Sequence, residues 1–462
     1  MSNFNIKARL STMNFLEFAV WGAYLISMGM FLGANGLGQY VFWFYTVQGL
    51  VSIIMPALIG IVADRWIPAQ ITLSLCHVLA GGFMIATGLV SAGEIAASGY
   101  LSFGTIFPLY TLSVAFYMPT LGLSNSVAFN GLEKAGLSTV KDFPAIRVFG
   151  TVGFIAAEVA VNFIAVDGIT IQHTHYQFMM SGILSLLLAT YCLTLPSCPV
   201  RKSSHSSLAE ALGLKAFKLF KRRDMAIFFI FSMLLGVSLQ VTNSYGSTFI
   251  DLFAHIPGFS DDYWAQNPTL LISISQCAEA LCILLIPFFL RRYGIKGVML
   301  IAMFAWVLRF GFFGIGDTHS GGVIFLILSC LVYGVAFDFF NVSGGIYVDS
   351  QTDKAQRSSA QGLFMLMTNG IGASLGTFLA GTCVVNKLAL APGLDIMQQL
   401  EGWRLSWFIF AIYALVVAVL FMLIFRAPKV DANAKAEAEN IQMQQDNADP
   451  AGYMDVNNPA KS

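Results

Sequence analysis

Seven ionisable side chains interrupt the long apolar stretches of this sequence. They are Glu17, His77, Arg147, Glu158, Glu279, Arg309 and Asp338. An ionisable group at the centre of a bilayer is energetically costly, so such residues usually face a cavity and take part in function. The alternative is charge pairing within the fold, for example between Arg309 and Asp338. For His77, which lies beside Cys76 and far in sequence from the other six, we predict a hydrogen-bonded packing role.

Polar and aromatic side chains recur at helical spacing on four of these stretches. The faces are formed by Arg147, Thr151, Phe154 and Glu158, by Gln240 and Asn243, by Gln276 and Glu279, and by Tyr333 and Phe337. Such spacings place side chains on one face of a helix. Rings of a ligand stack on Phe or Tyr, while amides and carboxylates bind its polar edges. The pattern predicts a site for a planar ligand with several hydroxyl groups; the alternative is hydrogen bonding between helices.

The composition indicates a polytopic membrane protein and not a set of soluble domains. Only 11% of the 462 residues are charged and the mean hydropathy is +0.71, whereas soluble proteins contain about 25% charged residues. A net charge of zero gives no indication of a nucleic-acid partner, and we expect none. The loops carry no nucleophile, metal-binding or phosphate-binding motif, so we predict a protein that is not an enzyme and uses neither metal nor cofactor. The seven cysteines lack paired spacing and are expected to be core residues.

Twelve apolar stretches are long enough to cross a membrane as helices. These predicted spans, numbered 1 to 12 in chain order, lie near 10–32, 40–62, 69–91, 101–126, 142–166, 176–196, 225–252, 269–290, 296–316, 321–347, 358–386 and 403–426. The connections are short except for one polar segment at the middle of the chain. Span 1 is longer than the apolar part of a signal peptide and has no small-residue cleavage site, so we expect it to be retained.

The polar middle segment divides the chain into four predicted regions. They are an N-terminal six-helix bundle (1–196), a basic cytoplasmic linker (197–224), a C-terminal six-helix bundle (225–426) and a disordered cytoplasmic tail (427–462). In the linker, Ser207 and Glu210 have the spacing of a capping box for a short amphipathic helix with Leu208 and Leu212 on one face. We expect this helix to lie on the lipid bilayer surface.

The charges of the loops predict that both termini lie in the cytoplasm. With that orientation, 21 of the 25 Lys and Arg residues fall in inner loops and ends, and only Lys387 and Arg404 fall in outer loops. An excess of Lys and Arg marks the cytoplasmic loops of membrane proteins.

Two short similarities between the halves indicate an internal repeat. Val114–Tyr117 resembles Val335–Asp338, which lies 221 residues later, and Gly60–Trp66 resembles Phe288–Gly294 at nearly the same separation. Parallel repeats with a binding site between them near the midplane are typical of transporters.

Longer motifs resemble one known family. They are IMPALIGIVADRW (54–66), YMPTLGL (117–123), FPAIRVFGTVGF (143–154), MAIFFIFSMLLG (225–236), LQVTNSYGSTF (239–249), SISQCAEAL (273–281), PFFLRRYGIK (287–296) and YGVAFDFFNVSG (333–344). From about residue 12 to 425, the chain resembles the nucleoside:proton symporter family of the major facilitator superfamily. The resemblance implies two six-helix bundles around a central cavity, in a protein of the bacterial cytoplasmic (inner) membrane. It also implies import of nucleosides with protons, by a chain that functions as a monomer.

The resemblance assigns roles to individual residues. Substrate binding is implied for Arg147, Thr151, Phe154, Gln240, Asn243, Gln276, Glu279, Tyr333 and Phe337. Asp338 matches an aspartate implicated in proton coupling. Glu17 and Glu158 depart from the family's pattern, which has uncharged residues at these positions, so Glu279, Glu17 and Glu158 are further candidates for the proton. A gating-loop signature matches at Gly60, Asp64 and Arg65, but Trp66, Ile67 and Pro68 replace its usual continuation. The alternatives are a transporter of the same fold for sugars or other polar solutes, and an uncoupled nucleoside facilitator. The preference between purines and pyrimidines and the proton stoichiometry stay open at this stage.

Overall fold

The helices of the computed structural model coincide with the apolar stretches of the sequence. The structure describes residues 3–198, 200, 214–319, 321–352 and 357–426. Within this part of the chain, nine helical segments are long and apolar enough to cross a membrane by themselves. The predicted capping box of the linker and the predicted tail lie outside the described residues.

Spans 1 to 6 are built from helices, most of which extend past the predicted limits. Span 1 comprises Asn3–Gly22 and Met28–Leu32, and span 4 comprises Phe103–Tyr117 and Thr120–Lys134. Spans 2, 3, 5 and 6 are Val41–Arg65, Ala69–Ser98, Thr139–Phe163 and Tyr176–Cys192. A π-helical segment, Gly33–Leu37, and two 3-10 turns, Gly38–Tyr40 and Ile171–His173, lie in the connections.

Spans 7 to 12 follow a 3-10 segment, Leu214–Lys221. Spans 7, 10 and 12 are Arg223–Ala254, Val323–Ser350 and Ile396–Ile424, and a short helix, Tyr263–Gln266, precedes span 8. Spans 8 and 9 both lie in Pro268–Ile315, which Gly294 divides with φ 68° and ψ 175°, a conformation that favours glycine. Span 11 alternates three helices, Arg357–Met365, Ala373–Leu379 and Asn386–Leu388, with two π-helical segments, Leu366–Gly372 and Ala380–Val385.

A β-hairpin ends span 5 earlier than the sequence predicts. The helix stops at Phe163, and Ala165–Val166 pairs antiparallel with Ile169–Thr170. The connecting residues Asp167 and Gly168 both have positive φ, at 52° and 82°. Asp-Gly is a preferred pair for the type I′ turn that joins two strands through such residues. The predicted limit at residue 166 was therefore wrong by about one turn of helix.

Glycines allow close backbone approach between two pairs of spans. A Cβ atom on Gly153 of span 5 would lie 2.0 Å from the carbonyl oxygen of Phe15 in span 1. A Cβ atom on Gly236 of span 7 would lie 2.2 Å from the carbonyl oxygen of Thr368 in span 11. Small residues at crossings let helix backbones pack directly against each other in membranes.

Packing between the two halves of the described chain is concentrated in a few pairs of spans. Span 2 packs on span 11, span 5 packs on span 8, the end of span 1 packs on span 7, and span 2 makes a smaller contact with span 7. Spans 5, 7 and 8, which carry three of the four polar and aromatic faces predicted from the sequence, therefore lie at the boundary between the halves.

Candidate functional site

A cavity of about 780 Å³ lies between the two halves of the chain. It is lined by all nine residues for which substrate binding was predicted: Arg147, Thr151, Phe154, Gln240, Asn243, Gln276, Glu279, Tyr333 and Phe337. The volume is within the range of small-molecule sites, which is roughly 300 to 1,000 Å³. Helical spacing on spans 5, 7, 8 and 10 thus identified faces that converge in space.

Aromatic rings form one wall of the cavity. The rings of Tyr333 and Phe337 stack with centroids 5.7 Å apart and planes 7° apart. Behind Tyr333, Trp306 packs edge-on and the Arg309 guanidinium lies 4.3 Å from the ring centroid. From the other half of the chain, Phe154 enters the cavity with Trp21 edge-on against it, at 6.2 Å. These rings can stack on a planar ligand.

Polar groups complete the lining. The Asn243 amide donates to the Gln240 side-chain oxygen at 3.4 Å, a long bond that a ligand could replace. Arg147 stacks on the Phe18 ring at 4.0 Å and interacts electrostatically with Glu279. Within the described residues no direct ion pair occupies either group. A cation, a carboxylate and two amides are therefore available to hydroxyl groups and ring nitrogens.

Asp338 lies next to this site but outside its surface. The side chain is 5% exposed, and its Oδ2 atom has no partner among the described residues. It interacts electrostatically with Glu279. The lining of the cavity includes Phe337 and Asn341 but not Asp338, as the 100° turn between successive helical residues requires.

Arg309 does not pair with Asp338, contrary to the alternative stated above. In the described chain its guanidinium donates to the Ser329 carbonyl at 2.9 Å and to Ser275 Oγ at 3.3 Å. These contacts place Arg309 level with Tyr333, more than one helical turn before Asp338 on span 10. The buried cation is held by neutral oxygens and an aromatic face, both of which stabilise guanidinium groups.

Glu17 also lies outside the cavity, in a hydrogen-bonded cluster within the first half. Its carboxylate contacts His77 Nε2 at 3.0 Å and accepts a hydrogen bond from Thr120 Oγ1 at 2.5 Å. The other ring nitrogen of His77 lies 2.9 Å from Ser185 Oγ. Both Glu17 and His77 are fully buried. His77 thus has the hydrogen-bonded packing role that was predicted for it. Its partner, Glu17, is one of the acids predicted as candidates for the proton.

Glu158 is buried beyond the end of the cavity, although it shares a helix face with the cavity residues Thr151 and Phe154. The side chain is fully buried, and neither carboxylate oxygen has a partner among the described residues. The next residue on that face, Asn162, bonds to the second half of the chain, with its amide donating to Asn267 Oδ1 at 2.6 Å. Spacing along span 5 predicted the face but not the point at which the cavity ends.

Several cavity residues were missed by the sequence analysis. They are Trp21, Gln48, Asn125 and Asn369, and each carries a polar group. Trp21 Nε1, Gln48 Oε1 and Asn369 Oδ1 have no partner in the described part of the chain. Gln48 has Ser52 and Trp21 has Phe18 as a polar or aromatic helical neighbour that also lines the cavity, so spacing could have identified two of the four.

The two ends of the cavity differ. At one end it is lined by Pro56 and Ala57 of span 2, Leu121 and Asn125 of span 4, and Ser359 and Gly362 of span 11. This is the end at which the predicted gating residues lie: Gly60, Asp64 and Arg65 form the last turns of span 2, and Asp64 is exposed. At the opposite end, hydrogen bonds from Asn162 and Gln172 join the halves.

Comparison with known proteins identifies the same architecture elsewhere. The family model described as "Nucleoside H+ symporter" matches residues 4–430. Xanthosine permease of Escherichia coli (strain K12) is 43% identical over 426 residues, which are 91% of this chain and 96% of that protein. The nucleoside permease NupG of the same organism is 40% identical over 425 residues, with the same coverage.

A solved structure extends this similarity to the fold. The crystal structure of the nucleoside transporter NupG superposes with a TM-score of 0.80 at 40% identity, covering 92% of this chain and all of that one. The predicted class is confirmed: an all-α membrane protein with the major facilitator superfamily fold. The relatives are permeases, so the protein is a multi-pass membrane transporter and not an enzyme. The chain belongs to the nucleoside H+ symporter family.

Proposed function

We propose that this protein imports nucleosides together with protons across the bacterial inner membrane, by alternating access, as a monomer with both termini in the cytoplasm. The observation that carries the proposal is the cavity itself, which gathers polar and aromatic groups from spans 5, 7, 8 and 10. Membership of the family supports the substrate and the ion. The basic loops support the orientation, which makes the sealed end of the cavity the outer one.

In this proposal the C-terminal half holds most of the nucleoside. The base stacks on the wall formed by Tyr333 and Phe337, with Phe154 opposite. Gln240, Asn243, Gln276 and Glu279 bind the ribose hydroxyls and the base edge, as paired donors and acceptors require. Arg147 and Thr151 contact the ligand from the N-terminal half.

The coupling proton binds to Asp338 or to Glu279, which share an electrostatic environment beside the aromatic wall. Protonation removes a charge from a low-dielectric site, and this favours a state in which the acid is enclosed. The Glu17 carboxylate already has two partners inside the first bundle, His77 and Thr120, so we assign it a packing role beside His77.

Transport itself requires that residues 1–196 and 225–426 rock as two six-helix bundles about the cavity. Substrate and proton can drive this motion only through different affinities for the two cavity states. The pairs of spans that pack across the two halves are the surfaces that would rearrange. Gly60, Asp64 and Arg65 lie at the open end and would act on its closure.

The test is uptake of radiolabelled uridine by cells that lack endogenous nucleoside transport. We expect competition by adenosine but not by xylose, and loss of accumulation with a protonophore. Xanthosine belongs in the panel because one relative carries that substrate in its name. Competition by xylose would favour a sugar transporter, and accumulation that never exceeds equilibrium would favour an uncoupled facilitator.

A further inference from the structure

The outer end of the cavity is closed by neutral hydrogen bonds between the two halves. Asn162 is central: its amide donates to Asn267 Oδ1 at 2.6 Å, and its oxygen accepts from Thr269 Oγ1 at 2.9 Å. The Gln172 side-chain oxygen also lies within hydrogen-bonding distance of Thr269 Oγ1, whose single proton is shared between the two acceptors, and the Gln172 amide donates to the Gln266 carbonyl at 3.4 Å. We call these five residues the outer cluster. Its bonds join span 5 and the 171–173 turn to the start of span 8.

Glu158 lies one helical turn below Asn162, between the outer cluster and the cavity. It is fully buried, and neither carboxylate oxygen has a partner in the described chain. The groups that share its electrostatic environment are Cys277 of span 8 and Cys330 and Tyr333 of span 10, none of which is a cation. Arg147 of span 5 is eleven residues away, about 16 Å along the helix at 1.5 Å per residue.

An ionised carboxylate is unstable in such a place. Removing a charge from water without a cation or hydrogen-bond donor costs several kcal/mol, whereas a neutral carboxylic acid costs much less. The closed interface between spans 5 and 8 therefore selects the protonated side chain. When that interface opens, water reaches Glu158 and the proton can leave to the outer solution. Opening and proton release are thus linked.

We propose that Glu158 is a proton-binding site of the outer gate, occupied whenever the outer cluster is closed. The proposal rests on the proposed function for the direction of transport, but it concerns a different proton from the coupling one. A proton that binds from the outer solution and returns to it adds nothing to the transported stoichiometry. It instead makes the closed outer gate more populated as the external pH falls.

Among the described residues, a second contact between titratable groups crosses the halves near this end. His173 Nε2 lies 3.8 Å from Asp251 Oδ1 of span 7. The experiment must therefore separate Glu158 from His173. The variant Glu158→Gln keeps the shape of the protonated acid and cannot titrate, while His173→Gln removes the second group.

The test measures the opening of the outer gate against pH in lipid nanodiscs. Spin labels at Ala165→Cys and Ser260→Cys, both exposed, report the distance between the halves, with Cys277→Ala and Cys383→Ser removing the exposed native thiols. Alanine is used at Cys277 because a serine hydroxyl there would offer Glu158 a hydrogen-bond donor. We expect a population with a longer distance that grows at alkaline pH. Glu158→Gln and Glu158→Leu should each remove most of that growth, whereas His173→Gln should retain most of it.

Two outcomes of the distance measurement would overturn the proposal. One is a pH response that Glu158→Gln and Glu158→Leu leave unchanged, and the other is a wild-type distance distribution that does not respond to pH. The proton-to-nucleoside ratio in proteoliposomes is the accompanying measurement, and a reduced ratio in Glu158→Gln would make Glu158 a coupling acid instead. Failure of the proposed function would be visible separately, as an absence of nucleoside-driven proton uptake in the wild type.

Discussion

At the scale of single residues, the side chains that line the cavity are distinct from the buried acid that can change its charge. Tyr333 and Phe337 present their rings to the cavity, whereas Asp338 is turned away from it with one oxygen unpartnered in the described chain. A buried acid without a cation beside it changes its charge readily when its surroundings change. Asp338 can therefore respond to protons without competing with the nucleoside for space.

Asp338→Asn tests this separation. We expect the variant to bind and exchange nucleosides but to lose accumulation, so that the inside-to-outside ratio approaches unity. Wild-type uptake should rise as the external pH falls, because protonation is required on the outer side, and the variant should lose that dependence. The measurements are counterflow and uptake of radiolabelled uridine between mildly acidic and mildly alkaline pH.

Glu401→Gln is the matched control for that substitution, since Glu401 is an exposed acid near the start of span 12. It should transport like the wild type. If Asp338→Asn still concentrates uridine with an unchanged pH profile, Asp338 is not the coupling acid and Glu279 becomes the remaining candidate in the cavity.

The spacing of polar and aromatic residues predicts part of the site, because it shows which side chains share a helix face. Intervals of three and four reveal a shared helix face, and they correctly grouped Gln240 with Asn243 and Tyr333 with Phe337. They do not reveal depth, so Glu158 looked like a cavity residue although it is sealed above Phe154. They also say nothing of partners on other spans, and this is why Arg309 was open to pairing with Asp338.

At the scale of elements, the close crossings of helices repeat in the two halves. Spans 1 and 5 meet at Gly153, and spans 7 and 11 meet at Gly236. Spans 7 and 11 are the counterparts of spans 1 and 5 in the second set of six spans. This correspondence supports the internal repeat that short motifs indicated. Each crossing also supports the cavity, because Arg147, Thr151 and Phe154 project from span 5 and Gln240 and Asn243 from span 7.

Gly153→Ala should destabilise the protein. Its Cβ atom would lie 2.0 Å from the Phe15 carbonyl oxygen, and backbone cannot move aside as a flexible side chain could. Overpacking of this kind costs about 1 to 3 kcal/mol. We expect a lower thermal unfolding midpoint in detergent and weaker nucleoside binding. Gly82→Ala is the control, because a Cβ on Gly82 of span 3 has no neighbour within 4 Å and the change should be neutral or stabilising. Equal midpoints for the two variants would contradict the close crossing.

The sequence predicts helices better than it predicts their interruptions. Hydropathy identified the core of each span because a run of about 20 apolar residues is required to cross the bilayer. It could not reveal the π-helical segments of span 11 or the early end of span 5, since these depend on local hydrogen bonding. The pair Asp167-Gly168 was a readable signal for the hairpin, but it followed an apolar run that hid the strand.

At the scale of the whole molecule, one end of the cavity is lined with partly exposed side chains, and the other end is closed by hydrogen bonds between the halves. The outer cluster contains no charged residue, so closing it does not require a salt bridge to be desolvated. Net contributions of about 1 kcal/mol per neutral hydrogen bond are small enough to be reversed by ligand and proton binding. A transporter needs such a balance, because either state must be reachable in every cycle.

Locking the outer cluster should therefore stop transport without unfolding the protein. Asn162→Cys and Asn267→Cys place thiols on the two residues that now bond at 2.6 Å, in the background lacking Cys277 and Cys383. A short bifunctional reagent that joins two thiols through reducible disulfides should abolish uridine uptake, and reduction should restore it in the same sample. The control pair, Asp262→Cys with Thr318→Cys, replaces a 2.8 Å hydrogen bond within the second half, so the same cross-link should leave uptake intact. If uptake continues when the first pair is fully cross-linked, the halves do not separate at Asn162, and the outer gate must lie elsewhere.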